Sequence, residues 1–220
     1  MALARESHPY LIVGLAVTLG GAILGFPYLA AGALLISGFV AFFFRDPDRD
    51  VPSGEGLVVA PGDGRVVEVQ ELSDGSGLRI SIFLSLFDVH INRIPVGGVI
   101  RDVRHRSGRF LPANLEGAAL HNERNDLIIS APCGEVRVSQ IAGVVARRIV
   151  CWKKAGDEVK AGERFGLIQF GSRMEVVLPR GVAVEVALGA RVKGGSSVLG
   201  RFPRRAGRGE EKELAQANAS

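Results

Sequence analysis

The sequence predicts a mainly β protein with small helical insertions, preceded by an N-terminal helical hairpin that spans or re-enters a membrane. Two observations predict this fold class. An uncharged apolar run fills residues 9–44, and from residue 57 onward short apolar stretches alternate with residues typical of turns. The 29 glycines and the 6% aromatic content favour a turn-rich β protein over a helical bundle.

The apolar run is long enough for two helices. A transmembrane helix needs about 20 apolar residues, and the 36 residues from Pro9 to Phe44 are interrupted at Gly25-Phe26-Pro27. A cleaved signal peptide is the alternative, but the run is too long for one and contains no cleavage site followed by polar sequence. Because Arg5 precedes the run and Arg45 and Arg49 follow it, the positive-inside rule predicts that both ends lie at the cytoplasmic side of the cell membrane.

Four segments follow from these patterns. Residues 1–44 form the predicted membrane anchor, 45–56 a polar linker, 57–202 a β domain and 203–220 a basic, polar tail. The net charge of +4 and the pI of about 9.4 indicate an anionic partner. An anionic membrane surface fits the anchor, whereas no nucleic-acid-binding motif is present.

The β domain contains apolar stretches with the length and composition of strands. Helical periodicity occurs at Ala113–His121 and at Val144–Cys151. The nine predicted strands are Leu57–Ala60, Arg65–Val69, Leu78–Leu84, Gly98–Val103, Asp126–Ser130, Gly134–Ile141, Arg164–Phe170, Arg173–Val177 and Val182–Leu188.

Two similar turns suggest internal pseudo-symmetry in this domain. Residues 156–163 read GDEVKAGE, a turn of the kind found in lipoyl and biotinyl domains, and residues 189–195 repeat its glycine and valine spacing. Such paired turns predict a barrel-sandwich-hybrid-like domain, in which the glycines turn the corners and the valine enters the core. The alternative function is therefore a membrane-tethered binding or adaptor module without catalysis. Carriers of this kind present a lysine between the two turns, and residues 170–178 contain none.

The run Gly194-Gly195-Ser196-Ser197 offers a different chemistry. A serine hydroxyl can attack the carbonyl of the preceding residue when a glycine there gives the backbone enough freedom. The reaction needs a base near the hydroxyl and donors for the oxyanion. Taken alone, such a run is typical of a flexible loop.

The two cysteines, Cys133 and Cys151, belong to no CxxC motif and have no neighbouring histidine. This pattern predicts neither a disulfide framework nor a zinc site, and it fits a reducing compartment. We therefore expect no metal.

Five motifs in order give the chain its resemblance to the short-form phosphatidylserine decarboxylase proenzymes, and together they cover most of the chain beyond the apolar run. Each motif is weak alone, but five in register are specific. They are Phe43-Phe44-Arg45-Asp46-Pro47, Ala60-Pro61-Gly62-Asp63-Gly64, Asp88-Val89-His90-Ile91-Asn92-Arg93-Ile94-Pro95, Asn122-Glu123-Arg124-Asn125 and Phe170-Gly171-Ser172-Arg173-Met174-Glu175-Val176.

The resemblance implies a carboxy-lyase that converts phosphatidylserine to phosphatidylethanolamine and CO₂. It implies self-cleavage between Gly195 and Ser196, giving a β-chain of residues 1–195 and an α-chain of residues 196–220. Ser196 would become a pyruvoyl group, the electron sink for decarboxylation, with neither metal nor pyridoxal phosphate. A pyruvoyl decarboxylase for a soluble amino acid would gain nothing from the anchor. Association into a homo-oligomer stays open.

The resemblance also assigns roles to two further residues. Asp63 becomes the orienting carboxylate of a Ser-His-Asp arrangement, although an aspartate in such a turn commonly bonds only its own backbone. His90 becomes the base that activates Ser196, although a lone histidine is commonly structural. Long-form enzymes carry a second histidine where Arg93 stands, so His90 serves both steps or His105 or His121 supplies the second function.

Several side chains are candidates for binding the substrate. Arginine can grip a carboxylate or a phosphate with two parallel hydrogen bonds, and a structural ion pair is the alternative for each. The candidates are Arg93, Arg124, Arg173 and Phe170.

Overall fold

The computed structural model describes residues 2–108, 122–143, 148–169 and 172–203. Within these residues the chain forms a 3-10 helix, two α-helices and sixteen strands, which confirms the mainly β prediction. The elements are β1 (Ala2–Leu3), the 3-10 helix (Arg5–Ser7), α1 (His8–Ile23), α2 (Pro27–Phe43), β2 (Arg45–Asp46), β3 (Leu57–Val59), β4 (Gly64–Glu71), β5 (Gly77–Leu84), β6 (Ile91–Arg93), β7 (Gly98–Arg106), β8 (Arg124–Ala131), β9 (Gly134–Ala142), β10 (Ile149–Cys151), β11 (Glu158–Val159), β12 (Arg164–Ile168), β13 (Ser172–Pro179), β14 (Ala183–Val184), β15 (Arg191–Val192) and β16 (Val198–Arg201).

The two N-terminal helices pack against each other as a hairpin. Gly25 turns the corner with a φ of 75°, and Pro27 begins α2, where its missing N–H removes no helical hydrogen bond. Glycines allow close approach of the helices: a Cβ added at Gly14 would collide with the Ser37 hydroxyl. The two helices contain 16 and 17 residues. In the described part of the chain, no helix combines the length and the apolar character needed to cross a membrane.

The large sheet carries most of the core. Across the described residues it holds eight antiparallel strands in the order β11-β7-β8-β9-β13-β5-β4-β15, and it curls into a half-barrel. The smaller sheets are β10-β12-β6, β14-β16-β3 and β1-β2. Buried aliphatic side chains fill the interior because alternate residues of each strand face inward.

The nine predicted strands all fall on observed ones, though Phe170 lies outside the described residues and the last prediction reduces to Ala183–Val184. The predicted helix at residues 113–121 also lies outside them. The helix predicted at 144–151 is wrong for Ile149–Cys151, which forms β10. There, pairing with β12 outweighs the local helical periodicity.

The two glycine turns adopt the same structure. Val159 and Val192 are each 5% exposed and enter the core from short strands, β11 and β15. Each turn also exchanges two backbone hydrogen bonds with a strand of the large sheet. In the first these run from Gly156 N–H to the Ile100 carbonyl and from Ile100 N–H to Asp157; in the second, from Gly189 N–H to Val66 and from Val66 N–H to Ala190.

Candidate active site

The Gly194–Ser197 turn connects β15 to β16 and is held against the segment that follows β3. Gly195 N–H donates to the Ala60 carbonyl over 2.8 Å, and Ala60 N–H donates to the Ser197 carbonyl over 2.8 Å. The two glycines are buried, whereas Ser196 is half-buried. This run is therefore a fixed turn on the domain surface and not a loose loop.

Only glycine fits at the first two positions of this turn. A Cβ added at Gly194 would lie 3.0 Å from the Gly62 Cα atom, and one added at Gly195 would lie 2.7 Å from Arg93 Cδ. Gly195 also has a φ of 79°, which disfavours any side chain. The backbone before the Gly195–Ser196 bond is thus held in a conformation that a residue with a side chain would adopt only with strain.

The first glycine turn ends with one residue, Glu163, between its second glycine and the next strand. There Glu163 directly follows Gly162. Its backbone carbonyl accepts the Ile94 N–H over 2.8 Å, and its carboxylate accepts the Lys160 N–H over 2.9 Å.

In the second turn Ser197 takes the place of that glutamate. The Ser197 carbonyl accepts the Ala60 N–H, and its hydroxyl accepts the Lys193 N–H over 2.9 Å. Ser196 is consequently one additional residue between Gly195 and the residue that closes the turn. Among the described residues, no hydrogen bond involves the Ser196 hydroxyl.

Asp63 grips the backbone of this turn. Its Oδ1 atom accepts the Gly194 N–H over 2.8 Å, and its Oδ2 atom accepts a hydrogen bond from Arg49 Nη2 over 2.7 Å. Burial raises the pKa of the Asp63 carboxyl, while the Gly194 N–H and the Arg49 charge act in the opposite direction. The Gly194 N–H and Arg49 therefore stabilise the ionised form of Asp63.

The segment that carries Arg49 is tied to the β domain on both sides. Arg164 donates to Asp46 over 2.8 Å and to Asp48 over 2.9 Å. Arg93 donates to the Pro47 carbonyl over 2.9 Å. These contacts bring the residues between the hairpin and the β domain directly to the glycine turn.

His90 is buried beside the end of the hairpin. Its ring centroid lies 4.1 Å from that of Phe43, and burial lowers its pKa to about 4. Nδ1 lies 2.9 Å from the Asp88 carbonyl oxygen, which can only accept, so Nδ1 carries the proton. Nε2 is then the basic nitrogen, and it has no hydrogen-bond partner among the described residues.

The structure does not join the three predicted catalytic residues by hydrogen bonds. Within the described residues, none links Asp63 to His90 or His90 to Ser196. Asp63 instead orients the backbone beside Ser196, and the Asp88 carbonyl orients the imidazole. The role of His90 as the base for Ser196 stays a prediction.

The arginine candidates have different surroundings. Arg93 packs its Cδ atom against Gly195 and donates to the Gly162 carbonyl over 2.9 Å. Arg124 lies in the large sheet, where it donates to Glu175 over 3.0 Å, and Arg173 lies 3.9 Å from the same carboxylate. Both guanidinium groups are thus engaged by carboxylates of the sheet. Phe170 and His121 lie outside the described residues.

Sequence reasoning missed three contributors. The sequence indicates Arg49 only as a charge that follows the hairpin, and Phe43 only as a residue of the apolar run and of the first motif. Asp88 was read as part of a motif, with no role for its carbonyl. The signal for Arg49 was present, since a second arginine follows the Arg-Asp-Pro motif after one aspartate, but nothing in the pattern points it toward Asp63.

Neither a disulfide nor a metal cluster accompanies the site in the described residues. Cys133 and Cys151 are not joined, and no three His, Cys, Asp or Glu side chains there are arranged to hold a metal ion.

Comparisons with known proteins identify the family of this chain. The family model described as phosphatidylserine decarboxylase matches residues 36–200. A phosphatidylserine decarboxylase proenzyme of Syntrophus aciditrophicus (strain SB) is 43% identical over 208 residues, covering 91% of this chain and 97% of that protein. One of Geotalea uraniireducens (strain Rf4) is 41% identical over 206 residues, with the same coverage. The chain belongs to the phosphatidylserine decarboxylase family and is a carboxy-lyase of that family.

Proposed function

We propose that this chain is a proenzyme that cuts itself between Gly195 and Ser196 and then decarboxylates phosphatidylserine to phosphatidylethanolamine. The observation that carries the proposal is the turn itself. Ser196 follows two glycines that tolerate no side chain, and it adds one residue to a turn whose counterpart closes without it. The relatives are named as proenzymes, which fits a chain that matures by cleavage.

The cleavage begins at Ser196. Its Oγ attacks the Gly195 carbonyl carbon, the bond from that carbon to the Ser196 nitrogen breaks, and the nitrogen takes up the hydroxyl proton. An ester now joins the two residues. Loss of the Ser196 α-proton breaks the Cβ–Oγ bond and releases Gly195 as a carboxylate. The remaining dehydroalanine tautomerises, and water replaces its nitrogen, which leaves as ammonia, to give the pyruvoyl group.

We assign roles in this sequence to two side chains, Asp63 and His90. Asp63 holds the Gly194 N–H and thereby fixes the backbone just before the reacting carbonyl. His90 supplies an unprotonated Nε2 at neutral pH, because burial keeps its pKa at about 4. A neutral imidazole is the form that accepts a proton from a hydroxyl.

The surroundings of Ser196 suit a pyruvoyl group. Ser196 is half-buried, and Ser197 would hold the new chain terminus through its bonds to Ala60 and Lys193. The group supplies a ketone that withdraws electrons as the substrate carboxylate leaves as CO₂. The large and small products, 1–195 and 196–220, would remain associated because β16 pairs with β3.

We further propose that the hairpin holds the enzyme at the cytoplasmic membrane surface and that the domain is a barrel-sandwich hybrid. Large apolar side chains are exposed on both helices, and basic residues flank them. A membrane position brings the site to a lipid substrate. The repeated turns with buried Val159 and Val192 support the hybrid fold.

The carrier alternative has little support. A carrier needs an exposed modifiable tip between the two turns. In the described part of that region, Ser172–Glu175 form the buried beginning of β13, which pairs on both sides within the large sheet.

The test is the intact mass of the purified protein. We expect two chains, with the smaller one beginning at a pyruvoyl group that cyanoborohydride and an amine convert to a stable adduct. Ser196→Ala should give one uncut chain without decarboxylase activity. A single unmodified wild-type chain, or normal processing of Ser196→Ala, would refute the proposal.

A further inference from the structure

The two glycine turns have the same architecture, but under the proposed self-cleavage, on which this inference rests, only the second is cut. We infer that Ser197 is the positioning residue of the second turn: it makes the closing hydrogen bonds that Glu163 makes in the first turn, but one position later after the second glycine. Ser196 is therefore an extra residue that the strand pairing does not accommodate, and the Gly195–Ser196 bond becomes the one that is cut. Gly162–Glu163 occupies the equivalent place in the first turn and lacks the extra residue.

The strand pairing on either side proves the equivalence of the turns. Before them, β11 pairs Val159 with Gly98, and β15 pairs Val192 with Gly64 in the same antiparallel way. After them, β12 begins its pairing at Arg164 opposite Arg93, and β16 begins at Val198 opposite Val59.

The count between these anchors differs by one. Between Gly162 and the first paired residue of β12 stands a single residue, Glu163. Between Gly195 and the first paired residue of β16 stand two serines. The first turn thus has one residue between its second glycine and the next paired strand, whereas the second turn has two.

Of the two serines, Ser197 makes the hydrogen bonds that close the turn. Its N–H donates to the Lys193 carbonyl over 2.9 Å, its hydroxyl accepts the Lys193 N–H over 2.9 Å, and its carbonyl accepts the Ala60 N–H over 2.8 Å. Ser196 N–H donates to the same Lys193 carbonyl over 3.1 Å, and its hydroxyl is left without a bond in the described structure.

The carbonyls before the two closing residues differ as well. The Gly162 carbonyl accepts a hydrogen bond from Arg93 Nη1, which holds that peptide in place. Among the described residues, no hydrogen bond reaches the Gly195 carbonyl. The side chain next to it is small and unbonded, whereas Glu163 is bonded to Lys160 and Lys153. Only the second turn leaves a nucleophile beside an unrestrained carbonyl.

The decisive variant removes the extra residue and keeps the chemical motif. Deleting Ser197 leaves Gly-Gly-Ser-Val, the same sequence that deleting Ser196 would give, so a Gly–Ser bond survives in the register of the first turn. The matched control is Ser197→Ala, which also has a single serine but keeps the length. Full-length chains are synthesised in a cell-free system with liposomes, and cleavage is followed on denaturing gels.

We expect the deletion to slow cleavage by at least about 100-fold, because a displacement of about 1 Å has an effect of that size. Ser197→Ala should be cut to completion about fivefold to tenfold more slowly than wild type, since one hydrogen bond is lost. Ser197→Thr, which keeps the hydroxyl, should restore the rate to within about twofold of wild type.

Folding of the deletion variant is checked by circular dichroism and thermal unfolding against uncut Ser196→Ala. If the deletion variant is unfolded, the Ala and Thr variants decide, and equal rates for the two overturn the inference. A folded deletion variant that is cut at the wild-type rate also overturns it. An uncut wild-type chain would instead refute the proposed function.

Discussion

Arg49 Nη2 lies 2.7 Å from Asp63 Oδ2, and both side chains are largely buried. The other oxygen of that carboxylate accepts the Gly194 N–H. A residue between the hairpin and the β domain therefore supplies the counter-charge for the carboxylate at the processing turn. Because burial raises the pKa of Asp63 and Arg49 opposes that shift, the ion pair lowers the pH at which Asp63 loses its charge.

Arg49→Gln should shift the acid limb of self-cleavage to higher pH. Without the guanidinium, the pKa of Asp63 rises further, and the carboxyl becomes protonated at a higher pH. We expect a shift of about one pH unit or more, the usual effect of one close opposite charge on an aspartate. The measurement is the cleavage rate of newly synthesised chains transferred to buffers between about pH 5 and pH 9.

Arg164→Gln is the matched control for this change. It removes an arginine that binds Asp46 and Asp48 of the same segment but makes no hydrogen bond to Asp63 in the described structure. Its acid limb should stay where the wild-type limb lies. An identical profile for Arg49→Gln and wild type would show that the ion pair does not govern cleavage.

Gly195→Ala should block cleavage, whereas Gly189→Ala should not. Both glycines have a positive φ, near 80°, so alanine costs about 1–2 kcal/mol of folding free energy at either. At Gly189 the added Cβ meets nothing within 4 Å, while at Gly195 it meets Arg93 Cδ at 2.7 Å. Arg93 is fixed by Gly162 and Pro47 and cannot move away without losing those bonds.

The two alanine variants are compared by gel and by thermal unfolding. Similar losses of stability with a difference in cleavage would locate the effect at the contact with Arg93. Efficient cleavage of Gly195→Ala would mean that the turn adapts, contrary to the tight fit described above.

His90 should make the uncut protein less stable in mild acid. Its pKa in the folded state, about 4, is below the usual value of 6.5, so the unfolded chain binds more protons between these two values. The stabilisation is complete above about pH 6.5 and is lost as the pH falls toward 4; it amounts to about 3 kcal/mol. Chemical denaturation of Ser196→Ala across this range measures it.

In the same background, His90→Asn should flatten this part of the pH dependence. Its amide can still donate to the Asp88 carbonyl but does not titrate. His105→Gln serves as the control because that imidazole is largely exposed, and its variant should retain the acid-induced loss. An unchanged slope in His90→Asn would assign the pH dependence to other groups.

Arg124→Ala should destabilise the protein strongly and leave the Michaelis constant for phosphatidylserine nearly unchanged. Its loss leaves Glu175, whose side chain is 2% exposed, with only the 3.9 Å contact to Arg173, and removes the bond to the Ser139 hydroxyl. Breaking a buried ion pair costs about 3–5 kcal/mol. Denaturation of Arg124→Ala and steady-state kinetics of its processed form test this. A large rise in the Michaelis constant with normal stability would restore Arg124 as a substrate ligand.

The hairpin tip should bind lipid. Replacing Ile23, Leu24 and Phe26 with serine removes three side chains that are 83%, 70% and 57% exposed. A side chain fully buried in lipid contributes about 1.5–3 kcal/mol, so the triple variant should associate with phosphatidylserine-containing vesicles more than about tenfold less in flotation at limiting lipid. Leu188→Ser, which changes an equally exposed leucine of the β domain, should float like wild type.

The strands of five or more residues were all predicted, because they are long enough for apolar residues to show a period of two. The strand β5, for example, is visible in Leu78–Leu84. The two-residue strands β11 and β15 show no such period, but their valines were found through the glycine turns. The strand β10 was misread because three residues cannot show whether a period of two or of 3.6 applies.

The residues of the site could be predicted from the sequence, but their hydrogen-bond partners could not. Asp63 and Ser196 were singled out by motif, yet the partner of Asp63 is the Gly194 N–H, 131 positions away along the chain. Backbone donors have no sequence signature, so no pattern could indicate this bond. The extra residue at Ser196 was equally hidden, because the repeat in the sequence ends at Gly195 and only the strand pairing shows where it resumes.

Phe43, the last residue of α2, packs against the His90 imidazole with the two rings tilted by 35°, and it is 1% exposed. With Phe44 and Ile91 it belongs to a small apolar cluster that the β domain shares with the end of the hairpin. Removing the apolar hairpin to obtain a soluble sample would expose the His90 imidazole to water and raise its pKa. Material for kinetic work should therefore retain the sequence through Phe43 and be handled in detergent micelles or nanodiscs.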